Sequence, residues 1–556
     1  MLYEFGPFCV NSRDRLLLRG GREVPLTPKV FDILLVLIQN NGRILTKDEL
    51  MRMIWPETIV EEANITRNIS TLRKALGDGL EESRFIETIP WRGYRFGAEI
   101  RTCGELAAID SLAVLPFVNE SNTPDTDYLS NGITESLIHK LSALTDLRVM
   151  SRHSVFNCNT LDPQTVGSKL NVRAVLIGRI RQTLNTVIVS IELVDTMDQR
   201  HIWGAQYNRE HCDIFDLQET IAQQIAVQLR VKLTSNESQR LRQRPTENAE
   251  AHELYLRARF FWNKLTPDGV NAAVELFNKA IQKDESYALA YIGLLDAYTY
   301  LNSPVEARKA ASKALEIDPM SGEAHASLGF LTFLYDWDFK KADAEFSQAI
   351  ELNPSYAQAH HWYAIYLANM GRHKDALREA RRARELDPLS LLMNQTVGLS
   401  LYLARDFGLA IDELRKVVDM DANYAAVRSS LGLAYAHKGL TKEAIQEFRK
   451  VGDLAGGHPA VDSSVKALIA YTHAVSGEIE QARILIDEIS NLPATSSYLL
   501  AMILGLIGET DLAFEWLDRA YQERNFQLVC ALTDPGLDPL RGDARFPALL
   551  ARIGLS

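Results

Sequence analysis

Between residues 64 and 74 the chain carries amides, a hydroxyl and cations at helical intervals. Asn64, Arg67, Asn68, Thr71 and Lys74 are the residue types that pair with base edges and phosphate oxygens. Threaded among them are Ile65, Ile69, Leu72 and Leu76, spaced i, i+4, i+7 and i+11. That spacing predicts a helix over Glu61–Leu76 with one buried face and the polar side chains turned away from it. Phe85 to Phe96 follows, and it reads as two short strands around a Pro90-Trp91-Arg92-Gly93 turn. A helix sized for a major groove, beside a hairpin carrying Arg92 and Arg95, points to contact with duplex DNA.

Other chemistries find no constellation. The chain has no G-x-x-x-x-G-K-[ST] phosphate loop and no G-x-S-x-G nucleophile turn. His139, His153, His201 and His211 lack metal-ligand spacing. A paired-carboxylate metal site of the nucleotide-cyclase kind cannot be placed either. The expectation is a protein that is not an enzyme, with no cofactor and no bound metal.

At 556 residues the chain is too long for one core. Its net charge of −12 argues against a protein that coats nucleic acid along its whole length. Residues 1–101 hold 15 Lys and Arg against 14 Asp and Glu, which is +1 and leaves −13 for the rest. A near-neutral DNA reader on an acidic body is consistent with this, because only the contacting face must be basic. The five cysteines, Cys9, Cys103, Cys158, Cys212 and Cys530, are scattered without a C-x-x-C pair, which suits free thiols in a reducing compartment. No run approaches the roughly 18 apolar residues of a membrane span, and no signal pattern opens the chain. A cytoplasmic protein is expected.

Within residues 1–100, Tyr3–Val10 and Arg13–Leu18 read as a small antiparallel sheet. Thr27-Pro28 opens a first helix, and Thr46-Lys47-Asp48-Glu49 is a capping box for a second that ends near Trp55-Pro56. Three stretches then carry a family resemblance: Leu26-Thr27-Pro28-Lys29-Val30-Phe31, Asn68 to Leu76, and Ile86-Glu87-Thr88 through Gly93-Tyr94-Arg95-Phe96. The segment resembles the OmpR/PhoB-type winged-helix domain of bacterial regulators. The resemblance implies that the third helix enters the major groove, with Arg67, Asn68 and Thr71 reading bases. Arg73 and Lys74 would anchor phosphates, and Arg92 or Arg95 would reach the minor groove from the wing. The chain departs from family members that carry arginines where Ser70 and Thr71 stand, which leaves the target sequence open.

Arg101–Asp110 reads as a polar linker. Beyond it, apolar runs at 111–117, 147–151, 174–183, 186–195 and 202–207 alternate with helical patterns at 128–144, 164–170 and 214–233, predicting a mixed α/β domain over residues 108–235. Ala113-Val114-Leu115-Pro116-Phe117, Asn131-Gly132-Ile133-Thr134-Glu135 and Val175 to Ile180 resemble a TolB-N-terminal-like domain.

From about Asn248 a period takes over. Asp318-Pro319, Asn353-Pro354 and Asp387-Pro388 recur 35 and 34 residues apart, each behind a helix bearing small residues. This is the tetratricopeptide pattern, and seven or eight units are expected over 248–550 with a C-terminal cap near Asp534–Phe546. His360, His361, Trp362 and Tyr363 fall on a first helix of a unit and are candidates for lining a protein-binding groove.

The expected fold class is multidomain α+β: an N-terminal winged helix-turn-helix, a central mixed α/β domain and an all-α superhelix. The expected function is sequence-specific transcriptional regulation. Double-stranded promoter DNA, RNA polymerase or other proteins at the repeats, and a second copy of the chain would be the partners, with no membrane involved. The rival is a tetratricopeptide scaffold whose winged helix serves as a protein contact.

Overall fold

The computed structural model describes residues 2–555 apart from 13–14, 20–21, 56–61, 78–84, 99, 104–108, 122–126, 183–185, 211–213, 230, 232, 243, 265, 457 and 490–495. The chain gathers into two compact units, Met1–Ile109 and Asp110–Ser556.

In the first unit, β1 (Leu2–Phe5), β2 (Phe8–Asn11), β3 (Leu16–Arg19) and β4 (Arg22–Glu23) precede α1 (Pro28–Gln39), α2 (Lys47–Ile54) and α3 (Glu62–Leu76). β5 (Ile86–Ile89), β6 (Gly93–Phe96) and β7 (Arg101–Cys103) follow. The sheet order is β4-β3-β2-β1-β7, and β5 with β6 forms a separate hairpin. β7 was expected to be linker; instead it pairs antiparallel with β1, Leu2 opposite Cys103. Glu61 lies outside the described residues, so the third helix is described from Glu62.

Helix starts differ in how they are made. Thr27 holds the N-cap position of α1 without a side-chain capping bond, so this start rests on Pro28, whose ring fixes a helical φ at the first position. At α2 the expected capping box forms: Glu49 N donates to Thr46 Oγ1 at 3.1 Å and Thr46 N to Glu49 Oε2 at 2.9 Å. The core seals around Ile33, Leu34 and Leu37 of α1 and Ile65, Ile69, Leu72 and Leu76 of α3, all at most 2% exposed. Phe5 packs edge-on against Phe96 with ring centroids 5.0 Å apart, joining sheet and hairpin.

The second unit begins with β8 (Ser111–Val114), β9 (Val118–Asn119), α4 (Asp127–Ser142), β10 (Arg148–Val149), α5 (Arg152–Phe156) and α6 (Pro163–Leu170). It continues with β11 (Ala174–Gln182), β12 (Thr186–Asp195), β13 (His201–Glu210), α7 (Ile214–Gln228) and α8 (Ser235–Arg242). The sheet order is β10-β8-β11-β12-β13, with β9 beside β11. β10, β8 and β11 run parallel and the last three antiparallel, the mixed sheet expected. Gly178 sits inside β11, where a Cβ would lie 2.4 Å from the Phe117 ring.

Helix pairs follow: α9 (Ala249–Trp262) with α10 (Pro267–Lys283), α11 (Ala288–Tyr300) with α12 (Pro304–Ile317), α13 (Gly322–Leu331) with α14 (Phe339–Leu352), and α15 (Ala357–Asn369) with α16 (His373–Leu386). α17 (Leu391–Leu403) pairs with α18 (Phe407–Met420), α19 (Ala425–His437) with α20 (Thr441–Leu454), α21 (Pro459–Val475) with α22 (Ile479–Ile489), and α23 (Ser497–Leu506) with α24 (Thr510–Gln522); α25 (Arg545–Arg552) closes the array. Ala307, Ala342, Ala376, Ala410 and Ala444 are fully buried at the pair contacts. A Cβ on Gly432 would lie 2.5 Å from the Phe448 ring, so close packing demands the small residue.

The α/β layer and the repeats, expected as separate domains, lie in one compact unit. A charged seam joins α4 and its neighbour α5 to the repeats. Arg259 of α9 donates Nε to Glu135 of α4 at 2.6 Å and NH1 to Asp296 of α11 at 3.1 Å. Asn263 and Arg152 also reach Glu135, at 3.1 and 3.2 Å. Farther along, His139 Nδ1 meets Glu323 at 3.2 Å and Ser154 Oγ donates to Asp387 at 2.5 Å.

Candidate nucleic-acid interface

One residue of α-helix turns about 100°, so burying Ile65, Ile69, Leu72 and Leu76 sends 64, 67, 71 and 74 to the opposite side. Asn64, Arg67, Thr71 and Lys74 are exposed and Asn68 is half-buried at the edge of the stripe. Two of these side chains are partly occupied by their own helix. Asn68 Nδ2 donates to Asn64 O at 2.8 Å, and Thr71 Oγ1 donates to Arg67 O at 3.0 Å. With its proton turned inward, Thr71 has only lone pairs and a methyl left to offer outward, an acceptor and an apolar contact of the kind that meets a thymine methyl.

Arg73 sits one residue round the helix, and its surroundings differ from those of Lys74. Its NH2 donates to Ile86 O and to Thr88 Oγ1, both at 2.8 Å, and the side chain is half-buried. The guanidinium therefore ties the last turn of α3 to β5 and is not turned outward as a phosphate anchor would be. Arg95 is likewise held inside the hairpin, donating Nε and NH2 to Glu87 across the strands at 2.9 and 2.5 Å. Arg92 stands exposed at the tip. The turn also presents Trp91, 105% exposed, which sequence reading treated only as a turn residue. The available signal was a large apolar side chain directly after proline at a hairpin tip, a place with no core to enter.

The hairpin is fixed at its base. Leu45 N donates to Tyr94 O at 2.8 Å and Tyr94 N to Leu45 O at 2.9 Å. Gly93, at φ +138, passes so near that a Cβ would lie 2.0 Å from Leu45 O.

The proposed repeat groove is filled by the protein itself. His360 and His361 are 4% exposed and Tyr363 is 8% exposed. His360 contacts Glu379 at 2.7 Å and Pro354 O at 3.1 Å; His361 meets Thr396 Oγ1 at 2.7 Å. Tyr363 OH donates to Asp343 at 2.9 Å, and Trp362 stacks on Phe330 with centroids 4.7 Å apart. These four join neighbouring repeat helices rather than lining an open groove. A cavity of about 1080 Å3 does lie where α4 meets the repeats, lined by Glu135, His139, Arg259, Asp296, Glu323 and Tyr356 among others. Burial raises the Asp296 carboxyl to about 6 despite Arg259 beside it. Burial would raise Glu323 as well, but the His139 charge and hydrogen bond outweigh it and hold Glu323 near 2.

Residues 21–96 match the model for the C-terminal domain of transcriptional regulatory proteins. The N-terminal segment is an OmpR/PhoB-type DNA-binding domain. Residues 108–228 match the HilA/YgeH-like transcriptional regulator second domain. Residues 345–378 and 398–459 match tetratricopeptide repeats. Among relatives, the chain is 31% identical over 283 residues to "Putative adenylate cyclase 3" of Rhizobium meliloti (strain 1021), covering 49% of this chain and 42% of that protein. It is 25% identical over 403 residues to "Transcriptional regulator HilA" of Salmonella typhi, covering 69% and 70%. It is 37% identical over 91 residues to "Transcriptional activator CadC" of Escherichia coli (strain K12), covering 16% and 18%. The chain thus spans less than half of the cyclase relative and about seven-tenths of the HilA relative. Among the described residues no helix is long and apolar enough to cross a membrane.

Proposed function

We propose that this chain is a DNA-binding transcriptional regulator acting in the cytoplasm, and not an enzyme. α3 lies in a major groove, where Asn64, Arg67, Asn68 and Thr71 face base edges and Lys74 faces a phosphate. The hairpin crosses the adjacent backbone and brings Arg92 to the minor groove. Arg73 and Arg95 act one step back, by holding the hairpin against α3 and its two strands together. The α/β layer and repeats form the body that receives other proteins, RNA polymerase among them, and a second copy of the chain occupies a neighbouring half-site.

The observation that carries this reading is the exposed Arg67–Thr71–Lys74 stripe on a helix whose opposite face is sealed, beside a hairpin fixed to it by Arg73. Selection of duplexes from a random 20-bp library by the full chain tests it, with crosslinking to the genome as the cellular counterpart. A shared enriched motif that is lost with Arg67→Ala is the expected result. Enrichment of no sequence by the wild-type chain overturns the reading.

A further inference from the structure

Trp91 is the most exposed large apolar side chain among the described residues. Arg92 N donates to Ile89 O at 3.0 Å, closing a turn with Pro90 second and Trp91 third. Trp91 has φ +63. Proline second and a positive φ third is the pattern of a type II turn, whose third position takes Gly or Asn at little cost. A β-carbon and an indole there are strained, and water surrounds the ring. Neither local backbone preference nor burial explains the choice of residue.

The frame behind the tip gives the indole a direction. Arg73 holds Thr88, Leu45 brackets Tyr94 on both sides, and Glu87 pairs with Arg95. Pro90 and Trp91 lie two to three residues beyond Thr88, about 7–10 Å farther along the strand. The backbone of Gly93 passes so near Leu45 O that no Cβ fits between them, which seats the base of the tip on Leu45. A rigid arm ending in a flat apolar plate beside a free-standing cation matches what minor-groove proteins insert between base steps.

We infer that Trp91 is a minor-groove wedge: its indole enters the groove beside Arg92 and partly unstacks one base step. Specificity then arises at that step from how easily it opens, with pyrimidine–purine steps favoured. This inference rests on the DNA-binding reading above.

The test uses the full chain and the duplex it selects from the random library, with 2-aminopurine placed in turn at adenines flanking the major-groove contacts. Wild type raises the fluorescence at one step. Trp91→Gly, whose backbone accepts φ +63, binds about tenfold or more weakly and leaves the fluorescence unchanged. Hydrogen exchange over residues 86–96 is no faster in Trp91→Gly, which shows an intact hairpin, and Trp91→Phe keeps most of the affinity. If wild type selects a duplex that Trp91→Gly binds equally well with no fluorescence change in either, the wedge is overturned while the DNA-binding reading stands. If Trp91→Gly binds equally well yet loses transcriptional activity, the indole contacts a protein and the wedge is again overturned. If wild type selects nothing, both readings fall.

Discussion

Arg73 of α3 donates to Thr88 Oγ1 of β5 at 2.8 Å, and the same nitrogen reaches Ile86 O. A cation next to Lys74 in sequence is thereby a strut between helix and hairpin. Removing it should loosen the arm without removing a phosphate contact. Arg73→Ala is expected to destabilise the N-terminal unit by about 1–2 kcal/mol, the range for hydrogen bonds from a charged donor that is still partly in water. It should weaken DNA binding while leaving the salt dependence of affinity unchanged. Denaturant unfolding and binding at several salt concentrations check both halves.

Gly93→Ala tests the base of the same hairpin. The new methyl would stand 2.0 Å from Leu45 O on a backbone at φ +138. The backbone bracket between Leu45 and Tyr94 must open to admit it. A loss of about 2–4 kcal/mol is expected, in the range of severe single substitutions. Faster hydrogen exchange at Leu45 and Tyr94 is the direct readout.

The contrast between these neighbours shows what could be read in the sequence. The apolar ladder of α3 was legible because a 3.6-residue period depends on nothing outside the helix. Which of Arg73 and Lys74 faces outward depends on where a hairpin thirteen or more residues downstream comes to rest. His360 and His361 looked like groove residues because a first repeat helix has an inner face. Their partners Glu379 and Thr396 lie 19 and 35 residues on, in other helices. β7 was missed because its partner, β1, is at the other end of the unit. The merging of α/β layer and repeats hangs on Glu135 and Arg259, 124 residues apart.

That seam is the next target. Glu135 is held by Arg259, Arg152 and Asn263. Burial alone would raise its pKa, and the two arginines outweigh that and lower it. Glu135→Gln leaves Arg259 and Arg152 without their shared charge. Removing one partner of a buried pair costs about 3–5 kcal/mol, so unfolding of the second unit should shift to markedly lower denaturant. The Arg67–Thr71–Lys74 stripe belongs to the other unit, and the salt dependence of DNA binding should not change.

The seam also gives a pH dependence. Burial pushes His139 down, but the Glu323 carboxylate prevails and its pKa is raised. His153 is raised by its hydrogen bond to Asp387. A histidine with a raised folded pKa contributes stability that is complete below its unfolded value of about 6.5 and is lost as pH rises through the folded value. Asp296, raised to about 6 chiefly by burial, adds a decline between its unfolded value of about 4 and pH 6. Burial holds His252, His361 and His437 down at about 3, 4 and 4, and these stabilise the folded unit as pH rises through about 6.5, opposite in sign to the seam. The seam is therefore read as a difference: relative to wild type, His139→Gln should lose more stability at pH 6 than at pH 8, as followed by thermal unfolding at the two pH values.

The central claim is that the outward face of α3 meets the DNA backbone and bases, and the salt dependence of binding measures it most directly. Each phosphate contact removed lowers the slope of log K against log[salt] by about 1. For the full chain on its selected duplex, Arg67→Ala should weaken binding and relax the preferred motif, Lys74→Ala should lower the slope by about 1, and Arg73→Ala should leave the slope unchanged. Equal slopes and equal affinities for wild type and the Arg67→Ala/Lys74→Ala double variant would contradict the account.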